Sequence, residues 1–264
     1  MSRIVVCALA RHEELYIVDW IKWWRNIGVD HFYLYDNNSP LEPRLYNALL
    51  PEQRKYCTVI SIRGRHEGSL QHHVYEEFYR SYGSSFDWCF FVDVDEFLTN
   101  VDDVHAWLAD PLYRGFQAIR IQWRLFGDDN LIERDMGRPV WEGIVQEQND
   151  PELAIQGKTV LRGKMRNVTS RSCHWFKVRG VMAYACLPTG EVCRSMYQIH
   201  EPYTSPIKLN HYRTKTLSEF MQQKWQRGDA VYSRATIDLD YYFATNEKTP
   251  EKLAWLRENY GIEL

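Results

Sequence analysis

Along the first hundred residues, apolar runs of strand length alternate with segments whose apolar positions recur at helical spacing. Ile4 to Ala10 predicts a first buried strand, followed at once by polar Arg11-His12-Glu13-Glu14. Ile17, Trp20, Ile21, Trp24 and Ile27 then line one face of a helix, and Gly28 followed by Val29 suits a left-handed cap at its end. His31 to Tyr35 predicts a second strand that runs into the turn-forming cluster Asp36-Asn37-Asn38-Ser39-Pro40. Tyr56 to Ile62 predicts a third, after which Ser69 is placed to cap a helix carrying Leu70, Val74, Phe78 and Tyr82 on one face. Trp88 to Phe97 completes the set as a central strand whose apolar run ends in Asp93, Asp95 and Glu96. Repeated strand–helix–strand units predict right-handed crossovers, a parallel sheet and ligands bound beyond the strands' carboxyl ends. Arg11 to Glu14, Asp36 to Ser39 and Asp93 to Glu96 would then share one rim.

The second half reads differently. Phe116 to Phe126 predicts a fifth strand ending in Gly127-Asp128-Asp129-Asn130. From Gln156 to Tyr197 short β-like runs alternate with Gly- and Arg-rich turns, which suggests a small mixed or antiparallel region added to the parallel half. Pro206 to Tyr212 predicts a last strand, Thr216-Leu217-Ser218-Glu219 a capping box, and Thr249-Pro250-Glu251 the start of a terminal helix closed by Gly261. No internal repeat, low-complexity segment or interdomain linker interrupts the 264 residues, so one α/β domain is expected.

Charge sharpens the picture. A net charge of −3 argues against generic nucleic-acid binding, but the balance is uneven. Seven acids and no Lys or Arg lie between Asp87 and Asp110, whereas seven bases and no acid lie between Leu153 and Gly190. An acidic edge facing a cation and a basic wall facing an anion would fit, as would two solvated faces. Six cysteines without a C-x-x-C pair read as reduced core residues of a cytosolic protein. No apolar run reaches the roughly 18–20 residues of a membrane span, and Met1-Ser2-Arg3 leads straight into a strand, so a soluble protein is expected. If the fourth strand stays extended, Asp93 and Asp95 point the same way while Val94 points back. Two carboxylates that close need a cation, a proton or a hydrogen-bond network, and a hard divalent cation is the working reading.

The order and spacing of these segments resemble family 2-like glycosyltransferases, including the domain shared with family 92. The resemblance rests on Arg11 to Glu14 with Trp20, on Gly28 to Ser39, and on Asp87 to Leu98 with its D-x-D. It continues through Phe126-Gly127, Lys158-Thr159-Val160, His174, Asn210 to Thr216, and Arg227-Gly228, and so covers about residues 3 to 230. It implies a GT-A fold: a Rossmann-like, mostly parallel nucleotide-sugar-binding sheet with a small mixed β region and C-terminal helices. Residues 1–115 would form the nucleotide-binding half, 116–230 the acceptor and metal half, and 231–264 a helical tail.

The implied activity is transfer of a sugar, with inversion, from a UDP-sugar to a glycan or glycolipid hydroxyl, with Mn²⁺ or Mg²⁺ as cofactor. The implied setting is cytoplasmic, with peripheral association at the inner face of the membrane. Ala10, Arg11 and Glu13 would line the nucleoside pocket, and Asp36 would hydrogen-bond base or ribose, although a plain turn explains Asp36 to Ser39 equally well. Asp93 would sit near ribose or a water ligand, Asp95 would bind the metal directly, and His211 would complete its coordination, an imidazole favouring Mn²⁺. Lys215 and Arg227 would meet the diphosphate, and Lys158 and His174 would contact phosphate or an acidic acceptor. The base that takes the acceptor proton would be Asp129 or Asp128, with Glu133 and Glu142 next. Asp128-Asp129-Asn130 departs from the family's small residues after Phe-Gly, and Arg11-His12 replaces its usual Lys-Asn. A nucleotidyltransferase or a non-catalytic carbohydrate-binding protein of the same fold is the alternative. The former would carry a glycine in the loop after the first strand, where this chain has none.

Overall fold

A computed structural model describes residues 2–63, 70–148, 156–193, 205–227 and 237–264. Ser69, the aromatic stretch Tyr197 to Tyr203, the aromatic residue Tyr232 and the side chain of Arg227 lie outside what is described. The chain forms two compact units, Met1–Trp123 with Pro151–Asn210, and Arg124–Asp150 with His211–Leu264.

The first unit is an α/β layer structure. The elements of the chain begin β1 (Ile4–Ala10), α1 (Ile17–Asn26), β2 (His31–Asp36), α2 (Leu45–Ala48), β3 (Cys57–Ser61), α3 (Leu70–Tyr82), β4 (Trp88–Phe91) and β5 (Glu96–Thr99). They continue with β6 (Ala118–Phe126), β7 (Glu147–Gln148), β8 (Gly157–Arg162), β9 (Val168–Ser172), β10 (Trp175–Val178), β11 (Val181–Met182), β12 (Ala185–Cys186), β13 (Val192–Cys193) and β14 (Lys208–His211). The main sheet has the order β13-β12-β6-β8-β4-β1-β2-β3. β3, β2, β1 and β4 are parallel as expected. β8 enters between β4 and β6 antiparallel to both, so the later segment is built into the sheet rather than added beside it. β9, β10 and β11 form a separate three-stranded sheet.

Alternation along the strands decides which helix covers which face. Phe32 and Phe90 turn toward α1, where Trp20 and Trp24 meet them at ring separations of 5.8 and 5.1 Å. Their neighbours Tyr33 and Phe91 turn the other way, onto Phe78 of α3. All of these but Tyr33 are fully buried, and each such apolar ring contributes about 3 kcal/mol. Gly157 is required by close approach, because a Cβ there would stand 1.9 Å from the Ile121 carbonyl on β6.

The fourth strand is shorter than its apolar run suggests. β4 stops at Phe91, the Glu96 amide donates to the Asp93 carbonyl over 3.1 Å, and the chain turns into β5. The extended geometry that would have set Asp93 and Asp95 side by side is therefore not present. The turn wins because Glu96 also accepts the Asp93 amide on its own carboxylate, at 2.8 Å, satisfying a backbone donor that the sheet no longer covers.

In the second unit the end of β6 pairs with β7, Leu125 opposite Gln148. The capping box at Thr216 and Glu219 opens the helix Leu217–Gln222. Thr249 caps Pro250–Tyr260, which ends at Gly261 in the left-handed conformation. Leu217, Phe220, Met221, Leu239, Tyr242 and Leu256 form the core. Among the described residues no helix is long and apolar enough to cross a membrane, and all six cysteines are free thiols.

Candidate functional site

β1 lies between β2 and β4, and the helices that follow β1 and β3 cover opposite faces. The carboxyl ends of β1 and β4 thus lie side by side at a topological switch point, the kind of place where open α/β sheets bind ligands. Ala10, at the end of β1, is 1% exposed and stands in register with Asp36. Beyond it Arg11 is half-buried, His12 takes a positive φ of 55°, and Glu13 is buried. The His12 amide donates to the Asn38 side-chain oxygen at 2.9 Å, and the His12 ring pairs with Glu42 at 2.7 Å. The two loops are therefore tied together before any ligand arrives.

Asp36 does the work of the turn. Its carboxylate accepts the amides of Asn38 and Leu45 at 3.0 and 3.1 Å, and only 2% of the residue is exposed. A side chain so engaged and covered positions the rim backbone; it does not present an oxygen to a nucleoside. Asn38, 1% exposed, continues the network by donating to Glu14 and to the Pro43 carbonyl.

Asp93 is held from two sides. Gln71 of α3 donates to one oxygen at 2.5 Å, and the Lys158 ammonium lies 2.8 Å from the other. Lys158 projects from β8 and is 1% exposed, so the cation is inside the protein and is not available to a phosphate. Burial alone would lower its pKa, but the carboxylates of Asp93 and Glu96 outweigh that and raise it, keeping the ammonium charged. Glu96 is fully buried, and its second oxygen accepts the Trp123 indole N–H at 2.6 Å. Burial raises the Glu96 pKa, Lys158 pulls it down, and the charges of Asp93 and Asp95 push it up again. The Glu96 carbonyl takes the indole N–H groups of Trp20 and Trp24 at 3.0 and 3.2 Å, which fixes the turn to α1.

Asp95 is 6% exposed and lies within this turn. Among the described residues no group of three or more His, Cys, Asp or Glu side chains is arranged to hold a metal ion. The charge that stands beside Asp93 is the Lys158 ammonium.

Most of the remaining expected residues belong to the second unit. His211 ends β14 and is 7% exposed, and Lys215 is buried at a positive φ of 58° just before the Thr216 cap. Arg227 ends a short helix, Lys224–Arg227. Of the four acids offered as the base, Glu133 is exposed, and the carboxylates of the other three are engaged. Asp128, 3% exposed, forms an ion pair of 2.5 Å with fully buried Lys252 and accepts the Tyr242 hydroxyl. Asp129 accepts the amides of Val145 and Gln146, at 2.6 and 3.0 Å, and so closes its own loop. Glu142 pairs with Arg138 on the surface at 3.3 Å. A polar cavity of about 150 Å³ opens beside this loop, lined by Gly127 to Asn130, Gln146 to Gln148 and Thr245 to Glu247. In the first unit, the His174 Nδ1–H donates to the Gly157 carbonyl over 2.8 Å, and the ring packs edge-on against Trp123.

Sequence reasoning missed Gln71, Trp123 and Lys252 as partners of acids. Trp123 and Lys252 sit on hydrophobic and helical patterns that explain them without a polar role. Gln71 falls in the first turn of α3, where a polar residue draws no notice.

No family model matches the chain, and no curated protein sequence matches it. Among solved structures, one similar chain is a Bacillus anthracis protein described as a glucose-1-phosphate thymidylyltransferase in complex with sucrose. It is 9% identical, with a TM-score of 0.34 and coverage of 61% of this chain and 69% of that one. Another is an active-site mutant of LgtC, 11% identical, with a TM-score of 0.32 and coverage of 94% and 98%. Both likenesses are too loose to bear on chemistry.

Proposed function

We propose that the protein is a glycosyltransferase of GT-A type that binds a nucleotide-diphosphate sugar, a UDP-hexose in the first instance, beyond the carboxyl ends of β1 and β4. The observation that supports this most is the strand order β3-β2-β1-β4, which brings the Arg11 loop and the Asp93–Glu96 turn to adjacent strand ends. In this reading Ala10, Arg11 and Glu13 line the nucleoside pocket. Arg11 supplies positive charge toward the donor's phosphates, and Asp36 and Asn38 keep the loop in place. Asp95 is the rim carboxylate that would meet the donor's diphosphate through a divalent ion, Mn²⁺ or Mg²⁺. Transfer is an in-line displacement at the anomeric carbon, with the nucleoside diphosphate leaving and the acceptor hydroxyl, on a glycan or glycolipid, losing its proton. A nucleotidyltransferase is less well supported, since Arg11 to Leu15 contains no glycine to let backbone amides cradle a triphosphate.

The test is a panel of nucleotide sugars incubated with pure protein, with release of the nucleoside diphosphate as the readout. One or more should be turned over, and Asp95→Ala and Arg11→Ala should each lower kcat/KM at least about tenfold. A protein that binds and turns over none of the panel, or an Asp95→Ala variant that behaves as wild type, contradicts the assignment.

A further inference from the structure

The charge arrangement at the end of β4 answers a question that the D-x-D pattern raises. Asp93 and Glu96 belong to one hydrogen-bonded turn, and the cation paired with Asp93 is part of the chain. Lys158 is 1% exposed and 2.8 Å from Asp93, and it raises no solvent-facing charge. Gln71 occupies the other Asp93 oxygen, and Trp123 together with the Asp93 amide occupies both Glu96 oxygens. A divalent ion on Asp93, whose side chain is 33% exposed, would have to displace Gln71 or sit close to the Lys158 ammonium, which repels it. Drawing Lys158 away instead would leave a buried charge without its partner, which is the costly way to break such a pair.

We infer that Lys158 is the built-in counter-ion of Asp93, so that Asp93 is a positioning residue for the rim turn and is not a metal ligand. The inference concerns the site of the proposed glycosyltransferase reading, but it is read by ion binding and stands or falls without turnover. It has a consequence that a merely structural lysine would not have. Removing the ammonium leaves the Asp93 carboxylate without its counter-ion, and a divalent ion can then take its place.

Mn²⁺ binding followed by electron paramagnetic resonance, with and without UDP, tests this on the full chain. Asp93→Asn should leave Mn²⁺ affinity within twofold of wild type in both conditions. Lys158→Met should gain Mn²⁺ affinity at least tenfold, and the double variant Lys158→Met/Asp93→Asn should lose that gain. A tenfold or larger weakening in Asp93→Asn, with Lys158 intact, overturns the inference, as does a folded Lys158→Met that gains nothing. If Lys158→Met does not fold, the Asp93→Asn comparison decides alone, because Asn keeps the size of the side chain and one acceptor.

Discussion

The Lys252 ammonium meets Asp128 at 2.5 Å with 0% and 3% of the two side chains exposed, which makes this pair the anchor of the second unit rather than a piece of catalytic machinery. Breaking a buried pair from one side leaves an uncompensated charge. Lys252→Met should therefore cost about 3–5 kcal/mol. Combined with Asp128→Asn the loss should be smaller than the sum of the single losses, in urea denaturation of the four proteins of the cycle.

Gly157→Ala should lower stability by about 3 kcal/mol, the upper end of what overpacking costs, because the new Cβ meets the backbone carbonyl of Ile121 and not a side chain that can swing away. Thermal unfolding checks this. A variant as stable as wild type would show that β8 and β6 can separate locally without loss.

Asp36→Ala removes the acceptor for two rim amides. About 1–3 kcal/mol should be lost, and hydrogen exchange at Asn38 and Leu45 should accelerate more than within β2.

Glu219 gives a pH dependence with a definite sign. Burial would raise its pKa, but Arg134, 2.9 Å away, with Lys215 and Thr216, more than offsets that and lowers it. A carboxylate whose folded pKa lies below its unfolded value, near about 4.3, contributes stability above that value and loses it as pH falls through the folded pKa. The stability gap between wild type and Glu219→Gln should thus be full at neutral pH and shrink steadily below about pH 4. A gap independent of pH in acid titrations would contradict the assignment.

Much of the fold was legible because the chain states it twice, in periodicity and in punctuation. The run Ile4 to Ala10, the Trp20 and Trp24 stripe, and the caps at Thr216 and Thr249 all lie where the structure has them. The antiparallel insertion of β8 was not legible, since a buried strand reads the same in either direction and only Gly157, by its close approach to β6, hints at the crowding there. The break after Phe91 was hidden for a related reason. Val92 and Val94 extend the apolar run, and what ends the strand is Glu96 reaching back to the Asp93 amide, a tertiary choice that local pattern does not encode. At the site, residue types were readable and partners were not. Asp93, Asp128 and Asp129 look alike in sequence, and only the fold shows that Lys158, Lys252 and the Val145–Gln146 amides have claimed them.

The central claim is that a nucleotide sugar binds beyond the carboxyl ends of β1 and β4. Calorimetric titration of UDP and a panel of UDP-sugars into wild type, Arg11→Ala and Asp95→Ala tests it most directly. Saturable binding to wild type with at least tenfold weaker binding to both variants is the expected result. Absence of binding to the folded wild type, or equal affinity in all three proteins, would contradict it.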